Sequence, residues 1–155
     1  MKLRMAVFMS AAMAVSPAVR AAEVAPPLRV TSDELAQMVE KPASGTAVGR
    51  LPLGADGPQV VLARRTQSGE VEVHDAFNDL FVVRAGTATV LVGGKVTGQR
   101  QIAPGEWRGG TVSGAASFKL GAGDVLWIPA GLPHQVTLPK GGDFTYMAVK
   151  SSKAP

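Results

Sequence analysis

The sequence predicts an all-β domain, a sandwich or small barrel behind one short helix, and three observations carry the prediction. From Gln59 onward, apolar and polar residues alternate at the period of two that a pleated strand imposes. Glycine (18 residues) and proline (11 residues) punctuate the chain, as turns between many short strands require. Helical spacing is confined to the segment before Pro42. There Thr31 supplies an N-cap hydroxyl and Glu34 the reciprocal capping-box carboxylate, while Leu35, Met38 and Val39 share one face.

Taken in order, residues 1–21 read as an export signal. Lys2 and Arg4 form its charged start, Met5 to Val15 its apolar centre, and Val19-Arg20-Ala21 a small-x-small cleavage site. The apolar stretch is too short to span a bilayer, so the mature chain is expected to be exported, most simply to a bacterial periplasm, and not to stay in the membrane. Residues 22–57 are expected to form an arm, the short helix and a Gly/Pro/Ala-rich loop from Lys41 to Gly57 lying over the barrel. Residues 58–150 are the β domain, and residues 151–155 a tail.

Within that domain the pattern predicts strands at Val60–Ala63, Glu70–His74, Leu80–Arg84 and Thr87–Val92, the last two separated by a sharp turn at Gly86. Further strands follow at Ala115–Leu120, Val125–Ile128, His134–Leu138 and Phe144–Lys150. Thr97 to Gly114 holds few strand formers and reads as a long excursion between the two halves.

Composition excludes several functional classes. There is no cysteine, which rules out disulfides and thiolate metal sites. The net charge of +4 suggests a polyanion partner only until residues 1–21 are set aside. They contain Lys2, Arg4 and Arg20 and no acid, leaving thirteen basic residues against twelve acidic ones. The remaining charges alternate in sign, so no nucleic-acid partner is expected.

The chain has two histidines, and they mark the candidate site. Glu72 and His74 lie two residues apart, hence on the same face of a strand, and Asp79 opens the next strand. His134 follows the turn at Pro129-Ala130-Gly131, which can return it to the same cavity. Imidazole and carboxylate donors suit one divalent iron, manganese, zinc or nickel ion, and two histidines with one carboxylate is the facial arrangement of non-haem iron. His74, Asp79 and His134 are the expected ligands. Glu72 is either a further ligand, a general base or the partner that orients His74.

Phe81, Val83, Val136 and Leu138 are in phase to give the cavity an apolar floor. Trp107 and Arg108 on the long excursion are placed to cover its mouth and contact a substrate by stacking and by a guanidinium fork. Tyr146 is in phase to reach the site and move a proton, Gln135 should face away, and Trp127 is assigned to the core.

These segments resemble the two motifs of the cupin superfamily. The first, Gly-x5-His-x-His-x3,4-Glu-x6-Gly, is matched by His74, Asp79 and Gly86; the second, Gly-x5-Pro-x-Gly-x2-His-x3-Asn, by Gly123, Pro129, Gly131 and His134. Three positions depart: Glu72 stands for the first histidine, Thr66 for the opening glycine and Leu138 for the final asparagine. The resemblance implies a double-stranded β-helix (the jelly-roll or cupin barrel), a metal in the barrel mouth and a tendency to form homodimers. It names no reaction, since function lives in the site. Two functions remain expected: a metal-dependent enzyme of isomerase, lyase or dioxygenase type acting on a small organic molecule, or a non-catalytic module binding a metal or a sugar-like ligand.

Overall fold

The computed structural model describes residues 27–54 and 57–154; the expected export signal lies outside the described residues. The described residues form α1 (Ser32–Met38) and twelve strands: β1 (Thr46–Arg50), β2 (Gln59–Arg65), β3 (Glu72–His74), β4 (Phe77–Val92), β5 (Lys95–Thr97), β6 (Arg100–Ala103), β7 (Glu106–Arg108), β8 (Thr111–Ser113), β9 (Ala116–Gly121), β10 (Val125–Ile128), β11 (His134–Thr137) and β12 (Phe144–Ser152).

Two antiparallel layers share one strand. The first half of β4 pairs with β12 and β10, and β12 pairs onward to β2 and β1. The second half pairs with β9 and β11, and β11 leads through β3 to β7 and β6. Leu80–Arg84 and Thr87–Val92 are therefore one bent strand, not two. The bend is made locally: pairing with β12 skips Arg84, a bulge, and Gly86 follows at φ 76°. A Cβ on Gly86 would collide with the Asp143 carbonyl, so both the dihedral and the close approach require glycine.

The core lies between the layers. Phe81, Val83, Phe144, Tyr146 and Ile128 from one layer meet Ala88, Val90, Leu120 and Val136 from the other. Each large side chain fully buried there contributes roughly 1.5–3 kcal/mol of transfer free energy. On the outer face, Leu35 of α1 and Val39 at its C-cap pack on Leu62. The capping box is formed as expected, with Glu34 Oε2 accepting from the Thr31 backbone N–H at 2.6 Å and Thr31 Oγ1 accepting from the Glu34 N–H at 3.3 Å.

Three expectations are corrected. Lys41–Gly57 is not wholly loop, because β1 within it pairs with β2 and adds an edge strand. Thr97–Gly114 is not an unstructured excursion: β6 and β7 form a hairpin, and β8 pairs back on β5 as a separate ribbon. Its few strand formers hid this, because tight reversals such as the one at Gly105 (φ 72°) let very short strands pair. Trp127 is 51% exposed, since period two turns its neighbour Ile128 inward instead.

Candidate functional site

Strand register assembles the site. Antiparallel pairing sets Glu72 opposite Arg108 and His74 opposite Glu106, while His134 on β11 pairs with Glu72. Period two then gives β3 and β7 one chemical face made of Glu72, His74, Glu106 and Arg108, of which Glu72 and Arg108 line the cavity. Across from it, the start of β4 and the end of β12 bring Asp79 opposite Lys150.

His74, Asp79 and His134 are each buried to 3% exposure or less. One donor atom from each of Glu72, His74 and His134 falls within 4.8 Å of the others. Asp79 Oδ2 lies 3.3 Å from His74 Nε2 and 3.5 Å from His134 Nε2. Both imidazoles are oriented from behind. His74 Nδ1 is 2.6 Å from Glu106 Oε2, and His134 Nδ1 is 3.3 Å from the Leu132 carbonyl. An oxygen acceptor on Nδ1 holds the proton there and leaves the Nε2 lone pair facing the centre. His74 Nε2 is buried and has no hydrogen-bond partner among the described residues. An orphaned imidazole nitrogen beside a second imidazole and two carboxyl groups is a donor set that fits a divalent cation.

Cations of the chain itself hold the carboxylates. Arg65 Nη2 donates to Glu72 Oε1 at 3.0 Å, and Arg108 Nη2 lies 3.2 Å from Glu72 Oε2. Burial pushes the Glu72 carboxyl up, but in acid, where the rings carry a second proton, the His74 edge and the charges of Arg108, His134 and Arg65 outweigh it and hold the carboxyl at about 2. A carboxylate held that low is a weak base at neutral pH, which suits a ligand better than a proton acceptor. Lys150 Nζ donates to both oxygens of Asp79, at 2.8 and 3.1 Å. Burial lowers the His134 pKa, against the opposing pull of Glu72 and Asp79, and so favours the neutral, ligating imidazole.

The cavity beside these groups measures about 190 Å³ and has Phe81, Val61, Ala148 and Tyr146 among its walls. Tyr146 Oη accepts from Arg65 Nε at 3.1 Å, and burial raises the phenol pKa, so Tyr146 keeps its proton for donation.

Several expected residues lie elsewhere. Trp107 sits opposite Val73, on the outer face of the β3–β7 pair, and its Nε1 donates to Asp75 Oδ2 at 3.0 Å; it does not cover the mouth. Arg108, one residue on, faces inward as a wall of the cavity rather than a lid. Leu138 is in phase with His134 but four residues along, about 13 Å at strand rise, and lies against Thr89 and Pro139 at the far end of the barrel. Gln135 faces away as expected, its Nε2 donating to the Gly69 carbonyl. Sequence reasoning missed Arg65, Glu106 and Lys150. Pairing brings each to the site from a strand outside the motifs, and only the alternation Glu106-Trp107-Arg108 offered a signal.

No protein-family model matches the sequence, and no curated protein matches it. Solved structures match over most of the chain. A conserved protein with a double-stranded β-helix domain from Klebsiella pneumoniae is 18% identical, with a TM-score of 0.57 over 81% of this chain and 90% of that one. The polyketide cyclase RemF from Streptomyces resistomycificus is 16% identical, with a TM-score of 0.54 over 83% of each chain. A cupin-2 domain from Rhodospirillum rubrum is 13% identical, with a TM-score of 0.50 over 72% of this chain and 66% of that one. At these identities the likeness concerns architecture, and in architecture the chain is a double-stranded β-helix of the cupin type.

Proposed function

We propose that the protein holds one divalent metal ion between Glu72, His74 and His134 and uses the adjoining cavity to bind and convert a small organic molecule. The observation that carries this reading is the buried, unpartnered His74 Nε2, aimed at the centre by Glu106. Asp79 is the further oxygen donor, shared with Lys150.

Such an ion supplies Lewis-acid polarisation of a ligand oxygen and, if it is iron or manganese, a redox centre. The protein's own groups have separate tasks. Phe81, Val61 and Ala148 exclude water from one side of the ligand. Tyr146 Oη accepts from Arg65 Nε, keeps its own proton, and is the group placed to deliver it. The polyketide cyclase among the structural neighbours is one instance of this architecture carrying out chemistry on an organic molecule.

The test is elemental analysis of the purified mature chain after growth with several metals, followed by a turnover screen of sugar acids, phenolic acids and diketones with and without oxygen. About one tightly held ion per chain is expected, and sub-stoichiometric metal sinks the proposal. A second reading, a binding module without turnover, is favoured by one observation: Glu72 and Asp79 already have cationic partners from the chain. Metal retention or ligand binding with no conversion in the screen selects it. Export belongs to the same proposal and rests on the pattern of residues 1–21. N-terminal sequencing of the protein recovered from the periplasm should begin at Ala22.

A further inference from the structure

The inner cavity is more basic than a metal site requires. Four cationic side chains line it, Arg50, Arg65, Arg108 and Lys150, against two carboxylates, Glu72 and Asp79. Arg65 and Arg108 share Glu72, and Lys150 takes Asp79. Arg50 has no carboxylate partner among the described residues.

The placement of Arg50 is specific. It pairs with Val61 on the open edge strand β1, in the row that runs through Ala148 to Phe81. It also borders, with Lys150, a larger outer groove of about 740 Å³ that includes Gln59 and Phe77. Arg50 and Lys150 thus line both the outer groove and the inner cavity. An excess of fixed positive charge in a concave site focuses its field on anions, and a planar guanidinium matches a carboxylate bidentately. The walls beyond the charge are Val61, Phe81, Ala148 and Tyr146, which suit an organic body and not a bare inorganic anion.

We propose that the molecule taken by this site is a small organic carboxylate, its carboxylate held by Arg50 with Lys150 beside it and its apolar body lying against Phe81 and Tyr146. This rests on the reading of the cavity as a small-molecule site and names the class of molecule.

The test uses the metal-loaded mature chain in calorimetric titrations with matched probes: benzoate against benzamide, and succinate against succinamide, with inorganic phosphate as competitor. Metal content is measured on the same samples. The carboxylates should bind at least about tenfold more tightly than their amides, and Arg50→Ala should remove most of that advantage while metal content and melting temperature hold. Equal binding of acids and amides, no binding of either acid, equal competition by phosphate, or an advantage that survives Arg50→Ala overturns the proposal. Failure of the metal reading shows separately as metal-free protein, whether or not the acids bind in an Arg50-dependent way.

Discussion

The two walls of the site differ in kind. The β3–β11 wall carries the imidazoles and Glu72, groups that donate electron pairs, and Glu106 on β7 steers His74 from behind. The opposite wall, built from β1, β2 and β12, carries Arg50, Arg65 and Lys150, groups that only accept them. Asp79 lies between the two, near both Nε2 atoms on one side and bound by Lys150 on the other. Arg65 and Lys150 are tied to Glu72 and Asp79, whereas Arg50 has no carboxylate partner among the described residues, so an anion at Arg50 would not draw on the groups that face the imidazoles. On the proposed reading, one wall would set metal affinity and the other the choice of ligand.

The largest expected effect breaks the imidazole wall alone. His74→Ala or His134→Ala should reduce bound metal from about one ion per chain to below about a tenth, read by elemental analysis, with the fold retained by circular dichroism. On the cationic wall, Lys150→Met leaves Asp79 buried without its partner and should cost about 3–5 kcal/mol in denaturant unfolding of the metal-free chain. Added zinc should recover part of that loss, because the ion supplies the missing positive charge; no recovery would mean that Asp79 does not face the metal.

Acid sharpens the contrast. The folded-state pKa of Glu72, about 2, lies below its ordinary 4.5, so its contribution is complete above pH 4.5 and is lost as pH falls toward 2. The size is at most about 3 kcal/mol in the metal-free chain, and Glu72→Gln should flatten that part of the stability curve. Glu106→Gln keeps the shape but loses the charge behind His74, and should weaken metal binding about 10–100-fold in competition with a chelator. The smallest effect is expected at Trp107, which faces outward: Trp107→Ala should leave metal and carboxylate binding unchanged, and a changed affinity would place it in the site after all.

Much of this was legible in the residues. The capping box at Thr31 and Glu34 and most strands from Gln59 onward were local patterns, and the structure forms them. His74, Asp79 and His134 were found by spacing and do converge. What misled was range. Phase along a strand places a residue on a face but not at a depth, so it aims Leu138 at the cavity although Leu138 lies beside Thr89 and Pro139, well along the strand from His134. Between Thr97 and Gly114, strands of three or four residues are too short for period two to show, and the inward and outward faces around Trp107 were confused.

By itself the sequence determined the class of fold, the helix at its start and the donor groups on two strands, because alternation, capping and turn chemistry act over a few neighbouring residues. Only the tertiary structure decided that Arg65, Glu106 and Lys150 flank those donors and that Arg50 lines the same cavity. Such partners are set by register between strands distant along the chain, and a local pattern holds no record of which strand will lie beside which.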